Sequence, residues 1–200
     1  NFEYRLELDD SRLAVADLQD VVYELDSIDF IKKFEALDIG ATITGGLTMF
    51  GFDGDLDAGP GHFSGHLALD FPDSIDAMSY DVEGIVGQWD LGMFAGNGLD
   101  AFVNDANILI TGEGLTADLL NTEADIHLID YTVFGRHLTN VQLTGEFVKG
   151  QCHLNLESAD ARFAFNAEAT LFDWDKNLSM DADLSASNVE FENVGLDKMP

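Results

Sequence analysis

Asp53-Gly54-Asp55-Leu56-Asp57 sets three carboxylates at alternate positions, as the opening of a calcium-binding loop does. An EF-hand loop also needs a glycine at its sixth place and an acid eleven residues after the first, because Ca²⁺ takes six to eight oxygen ligands. Those positions are Ala58 and Ser64. Three local acids alone make a weak site, and the stretch reads as a turn of solvated acids. His62 and His66 are the next candidates. Four apart on a helix, two imidazoles can share a zinc ion. They fall instead in a strand pattern, on one face but roughly 13 Å apart along the rise, too far to share a metal. His127, His137 and His153 show no ligand spacing. No metal or cofactor is expected. Catalysis finds no support either. There is no nucleophile elbow, no phosphate-cradling glycine loop with a lysine, and no defensible acid pair. With 38 Asp and Glu in the chain, carboxylate proximity carries no weight, and the expectation is that the protein is not an enzyme. Cys152 is the sole cysteine, so no internal disulfide is possible. On an apolar stripe it reads as a small buried hydrophobe.

The charge balance excludes more. Nine Lys and Arg against those acids leave a net charge of −29. Such a chain offers no clustered cations for a nucleic-acid backbone, and an anionic membrane surface repels it. It is nevertheless built to fold: 46% of residues are hydrophobic, with 15 Phe and only 3 Pro, unlike a disordered acidic tail. The acids stand singly between apolar residues, which points to a solvated sheet face. No run of 18 apolar residues offers a membrane-spanning helix.

Two-residue alternation is the signal that organises the chain, and it is clearest from Leu138 to Leu196. Val141, Leu143 and Phe147 alternate with polar residues. After Lys149-Gly150 the phase moves to Cys152, Leu154 and Leu156. After Ser158 it moves again, to Ala161, Phe163, Phe165, Ala167, Ala169 and Leu171. Beyond Asp173–Asn177 it resumes at Leu178, Met180, Ala182 and Leu184. Side chains on a strand point to opposite faces in turn. Serial strands of this kind predict an antiparallel sheet with one apolar and one wet side. The same alternation runs from Phe2 to Leu8, with a turn at Asp9-Asp10-Ser11, and through Leu13–Leu18 and Val21–Leu25. It continues through the glycine-studded stretch from Ile39 to Phe71 and through Ile75–Trp89. It also covers Ile108–Ile110, Leu115–Leu119, Ile126–Leu128 and Tyr131–Val133. The exception is residues 27–37, where Ile28, Ile31 and Phe34 recur every third position after Ser27, a candidate N-cap; one short amphipathic helix is predicted there. The absence of strand–long-helix alternation excludes a parallel α/β fold. No composition shift divides residues 1–200. Starting mid-pattern at Asn1, the chain reads as an internal segment of a longer protein, with anchors and targeting signals outside it.

Several stretches resemble TamB proteins of the AsmA-like superfamily, in the style found in Bacteroidota. They are Ile28–Leu47, the glycine-rich Gly61-His62-Phe63-Ser64-Gly65-His66-Leu67 with Leu69-Asp70-Phe71-Pro72-Asp73, and the tail from Leu178 through Asn188-Val189-Glu190-Phe191 to Val194-Gly195-Leu196. The resemblance implies a mainly β chain forming a U-bent, groove-like sheet, the β-taco, in a periplasmic bridge anchored in the inner membrane. It also implies transport of phospholipids to the outer membrane, and outer-membrane biogenesis with a barrel partner of the Omp85 family. The strong acidity is not something the resemblance accounts for.

On this expectation the partners are phospholipid acyl chains, and the groove is lined by Val141, Leu143, Phe147, Leu154, Leu156, Phe163, Phe165, Leu171, Met180 and Leu184, acting together as an apolar wall. An error of one position on any strand would invert its face. Two other readings are open. One is a chaperone-like module that pairs a sheet edge with unfolded outer-membrane strands. The other is a structural or adhesive domain with a closed sandwich or barrel core.

Overall fold

The computed structural model describes residues 2–14, 36–59, 61–71, 77–92, 100–114, 116, 118–133, 135–160, 163–172 and 179–187. Eleven strands account for most of them: β1 Glu3–Ala14, β2 Ala36–Gly46, β3 Met49–Asp57, β4 His62–Asp70, β5 Ser79–Asp90 and β6 Ala101–Glu113 come first. Then follow β7 Asn121–Val133, β8 Arg136–Val148, β9 Gln151–Asp160, β10 Phe163–Phe172 and β11 Ser179–Ser187. They form a single antiparallel sheet in strict sequence order, each strand hydrogen-bonded to its chain neighbours. The expected class, mainly β with a twisted antiparallel sheet, is what the chain adopts. The shape differs from the expectation. The sheet is open and uncurled, so the described residues form neither a U-bent groove nor a closed sandwich or barrel.

Two local expectations are also corrected, and a third lies almost wholly outside the described residues. Asp9-Asp10-Ser11 does not end a strand. Asp10 takes a left-handed conformation (φ 48°), the β1–β2 register shifts between Leu8 and Ser11, and β1 runs on to Ala14. The acids and serine that signal a turn here make a bulge. Around Leu119 the chain turns instead of forming a strand, with the Leu119 and Leu120 amides donating to the Thr116 carbonyl (2.9 and 2.7 Å). Of the helix expected over 27–37, residues 27–35 lie outside the described part, as do Leu18 and Val21–Leu25. Ala36 and Leu37 open strand β2.

The register sorts the side chains by chemistry. Directly opposed residues share a face in an antiparallel sheet. One row crosses all eleven strands as Leu8, Ala41, Gly54, Gly65, Gly84, Ile108, Ile126, Leu143, Leu156, Ala167 and Leu184. The adjacent row, on the other face, reads Glu7, Thr42, Asp53, His66, Glu83, Leu109, Asp125, Thr144, Asn155, Glu168 and Asp183. The sheet is therefore amphipathic from edge to edge. Ile85 and Leu109 are exposed exceptions on the acidic side.

Left-handed residues let the apolar side continue past breaks in the alternation. Gln88 (φ 57°) in β5 and Asn140 (φ 55°) in β8, with register shifts around Asp105 between them, change the phase by one position. Beyond these bulges Trp89, Val103, Tyr131 and Leu138 pair across four strands. Val103 is buried, and Trp89, Tyr131 and Leu138 are half-buried. Packing is lateral, between neighbours on one layer. One cluster in it is Ile39, Ala41 and Phe52, with Leu8, Leu37, Leu56, Phe63 and Leu67 around them. The Phe52 and Phe63 rings lie 6.2 Å apart between centroids, within the range of a favourable aromatic pair. Among the described residues the only large side chains removed almost wholly from water are Val141 and Cys152.

Candidate functional site

The candidate site is the apolar face, and its expected residues can be placed strand by strand. Val141, Leu143 and Phe147 oppose Ser158, Leu156 and Cys152. Leu154, Leu156 and Cys152 oppose Ala169, Ala167 and Leu171. Leu171 opposes Met180. Phe165 opposes Ser158 on one side and Ala186 on the other. All these residues lie on one face. The backbone positions of Phe163, paired with Asp160, and of Leu184, paired with Ala167, continue the same rows. Val141, Leu143, Phe147, Leu154, Leu156, Phe165, Leu171 and Met180 thus share one surface. Val141 is buried, Met180 at the edge strand is 66% exposed, and Leu143, Phe147, Leu154, Leu156, Phe165 and Leu171 are half-buried.

The face extends well beyond those ten. Leu6, Ile43, Phe52, Leu67, Val82 and Ile110 carry it across β1 to β6. The alternation read through the glycine-studded stretch from Ile39 to Phe71 lies on this same face. Ten inter-strand spacings give a width of about 48 Å, and strands of 9 to 13 residues give a length of about 30–43 Å. The projected area is on the order of 1,500–2,000 Å². The largest apolar patch on an ordinary monomer is about 300–600 Å². Domains normally cover such a face with a second layer, and the described residues form only one sheet.

The acidic face has its own geometry. A concavity of about 690 Å³ lies over β6–β11 and is lined by Glu123, Asp125, Glu146, Glu168, Asp181 and Asp183 with His153. It is on the opposite side from the expected groove. Asp53, Asp55 and Asp57 are part of β3, which corrects the expected turn. They face the histidines of β4: the Asp53 carboxylate and His66 Nδ1 are 2.8 Å apart, and Asp55 and His62 Nε2 are 4.0 Å apart. Alternation of Asp in one strand and His in the next, either side of a short Gly-Pro-Gly turn, was the signal for this pairing. Among the described residues no group of His, Cys, Asp and Glu has the arrangement of a metal site.

Several polar pairings lie near the Tyr131 end of the sheet. The buried Asp160 accepts from the Thr139 amide and hydroxyl, both at 3.1 Å. The Asn104 amide donating to Asp130 at 2.7 Å, followed by His137 at 2.8 Å, holds the Asp130 carboxyl below its usual range against partial desolvation. Burial, with the Asp160 charge second, pushes the Tyr131 phenol up to about 12. Burial also raises the Cys152 thiol, the behaviour of an inert packed cysteine.

The Tyr131 shift has a testable sign. A phenol that ionises near 10 when unfolded and near 12 when folded contributes stability that is fully present below pH 10. That contribution is lost as pH rises from 10 to about 12. Tyr131→Phe should remove this segment of the alkaline stability slope and delete the last-ionising step of the tyrosinate absorbance titration. An unchanged titration in the variant would contradict the assignment.

Comparison of the chain with known protein families, with curated proteins and with solved structures gives no match.

Proposed function

We propose that this sheet shields phospholipid acyl chains from water, as a periplasmic segment of an envelope bridge that moves lipid between the inner and outer membranes. The observation that supports the reading is an apolar face that runs across eleven strands, with no second layer over it among the described residues. A lipid tail supplies such a layer without any directional contact. Each CH₂ withdrawn from water contributes about 0.8 kcal/mol, so a 16-carbon tail gains on the order of 10 kcal/mol. That suffices to hold a lipid out of water, and it explains why no polar recognition motif accompanies the face. The acidic face, turned outward, keeps the loaded protein soluble and away from anionic lipid surfaces. The resemblance to TamB supplies the envelope setting and the Omp85-family barrel as partner.

The test is organic extraction of protein purified without detergent, followed by mass spectrometry of the extract. Phospholipid near one or more molecules per chain supports the shield. Folded protein that carries no lipid, and takes none up from phosphatidylethanolamine vesicles, refutes it. A long exposed edge strand favours a second reading, strand addition by unfolded outer-membrane proteins. Crosslinks from β1 to a client backbone, with none to lipid, would establish that alternative.

A further inference from the structure

We propose that the sheet selects among phospholipids by headgroup charge, taking zwitterionic phosphatidylethanolamine and refusing anionic phosphatidylglycerol, with the carboxylates of the opposite face as the filter. The inference rests on the acyl-chain reading above and adds to it the class of lipid.

The central row of the wet face carries Glu7, Asp53, Glu83, Asp125, Glu168 and Asp183. The row on one side of it adds Asp81, Glu123, Glu146 and Asp181. The row on the other side adds Asp55 and Glu157. Among the described residues of these three rows Arg5 is the only lysine or arginine. The layer keeps its sign even where that is costly. Glu123 stands directly opposite Glu146, and Glu168 opposite Asp183, arrangements that destabilise a strand pair. Among the described residues no lysine or arginine lines the concavity over them.

The apolar face offers an anion nothing in return. Its rows through Leu6, Leu8 and Ile39 hold no charged residue. A phospholipid whose tails lie on this face is therefore one sheet away from a layer of carboxylates. Facing layers in proteins stand about 10 Å apart, close to the Debye length of about 8 Å at 0.15 M salt. Backbone and apolar side chains fill most of the gap in place of salt water, so screening is incomplete. The charge of the whole chain, −29, acts in the same direction. Phosphatidylglycerol brings a net negative charge into that field. Phosphatidylethanolamine carries an ammonium beside its phosphate and brings none. With the same tails, the two lipids are alike to the apolar face, and the difference between them falls on the headgroup.

The test equilibrates the lipid-stripped 200-residue chain with vesicles of equal parts phosphatidylethanolamine and phosphatidylglycerol, matched in acyl chains. The protein is re-isolated and extracted for mass spectrometry, at about 0.02 M and about 0.5 M salt. Both lipids come from the same vesicle, so repulsion between protein and bilayer does not bias their ratio. Bound phosphatidylethanolamine is expected in about fivefold excess at low salt, falling toward parity at high salt. The triple variant Asp125→Asn/Glu168→Gln/Asp183→Asn, altered on the wet face alone, should carry as much lipid in total with a smaller excess. Equal amounts of the two lipids at low salt overturn the proposal and leave the acyl-chain shield standing. An excess indifferent to both salt and the triple variant also overturns it, because a local headgroup contact is then the selector. Uptake of neither lipid overturns the shield, and this inference with it.

Discussion

Gly65→Ala should destabilise the sheet by about 3 kcal/mol or more, read as a fall in the denaturation midpoint with the m-value unchanged. Gly65 sits in the middle of β4, between Gly54 of β3 and Gly84 of β5. A Cβ at this position would run into the Glu83 carbonyl oxygen and come within 2.6 Å of the Gly84 Cα. Both obstacles are backbone of the paired strand, so no rotamer change relieves them. The strands must part locally, and ladder hydrogen bonds stretch with them. Ordinary overpacking in a core costs about 1–3 kcal/mol, and an obstructing backbone belongs at or above the top of that range. Gly40, two strands away in β2, is the control. A Cβ there meets nothing within 4 Å, and Gly40→Ala should change stability by less than about 1 kcal/mol. Equal effects at the two positions would mean that the close approach of β4 and β5 is not what fixes the glycine.

How much of this was legible in the residues depends on how locally each feature is encoded. Alternation is a property of consecutive residues, so the strands from Val141 to Leu184 and the common face of their apolar members could be read directly. A bulge is not visible in the same way. Asn140 moves Leu138 from the wrong parity to the apolar side, and nothing in a Thr-Asn pair distinguishes a bulge from a surface strand. Asp9-Asp10-Ser11 has turn composition because the left-handed backbone favours the same residues in turns and bulges. The glycine-rich half of the face was legible as strand, with its stripe interrupted. Gly54, Gly65 and Gly84 carry no side chain, so their strands look weakly patterned, although Phe52, Phe63, Leu67 and Val82 flank them and the Phe63 ring lies 2.8 Å from where a Gly84 Cβ would stand. Curvature is the least local property. Twist accumulates over many strands, and the residues that set it are the ones whose partners are unknown until the register is. The expectation of a U-bent sheet came from resemblance, and the eleven strands form an open one.

Leu143→Asp should cut the phospholipid carried per molecule about tenfold or more, while lipid-free protein keeps nearly the same thermal midpoint. Leu143 lies near the middle of the apolar face, with Ile126 and Leu156 opposite it and part of its side chain still open to water. In bare protein a carboxylate there keeps much of its hydration, so the cost of the change is mainly the lost lateral packing. Once a tail lies over the position, the charge loses water and gains no partner. An uncompensated polar group in that setting costs several kcal/mol, and each 1.4 kcal/mol is a factor of ten in occupancy. Two comparisons isolate the effect. Phe165→Asp, on the same face two strands away, should behave alike, because the wall acts collectively. Thr144→Asp, one residue along the chain but on the acidic face opposite Asp125 and Asn155, should leave lipid content unchanged. Equal lipid in all three variants, with each still folded by circular dichroism, would remove the apolar face from any role in lipid binding. Loss in Leu143→Asp and Phe165→Asp alone would establish that the face recognised from alternation is the one that lipid covers.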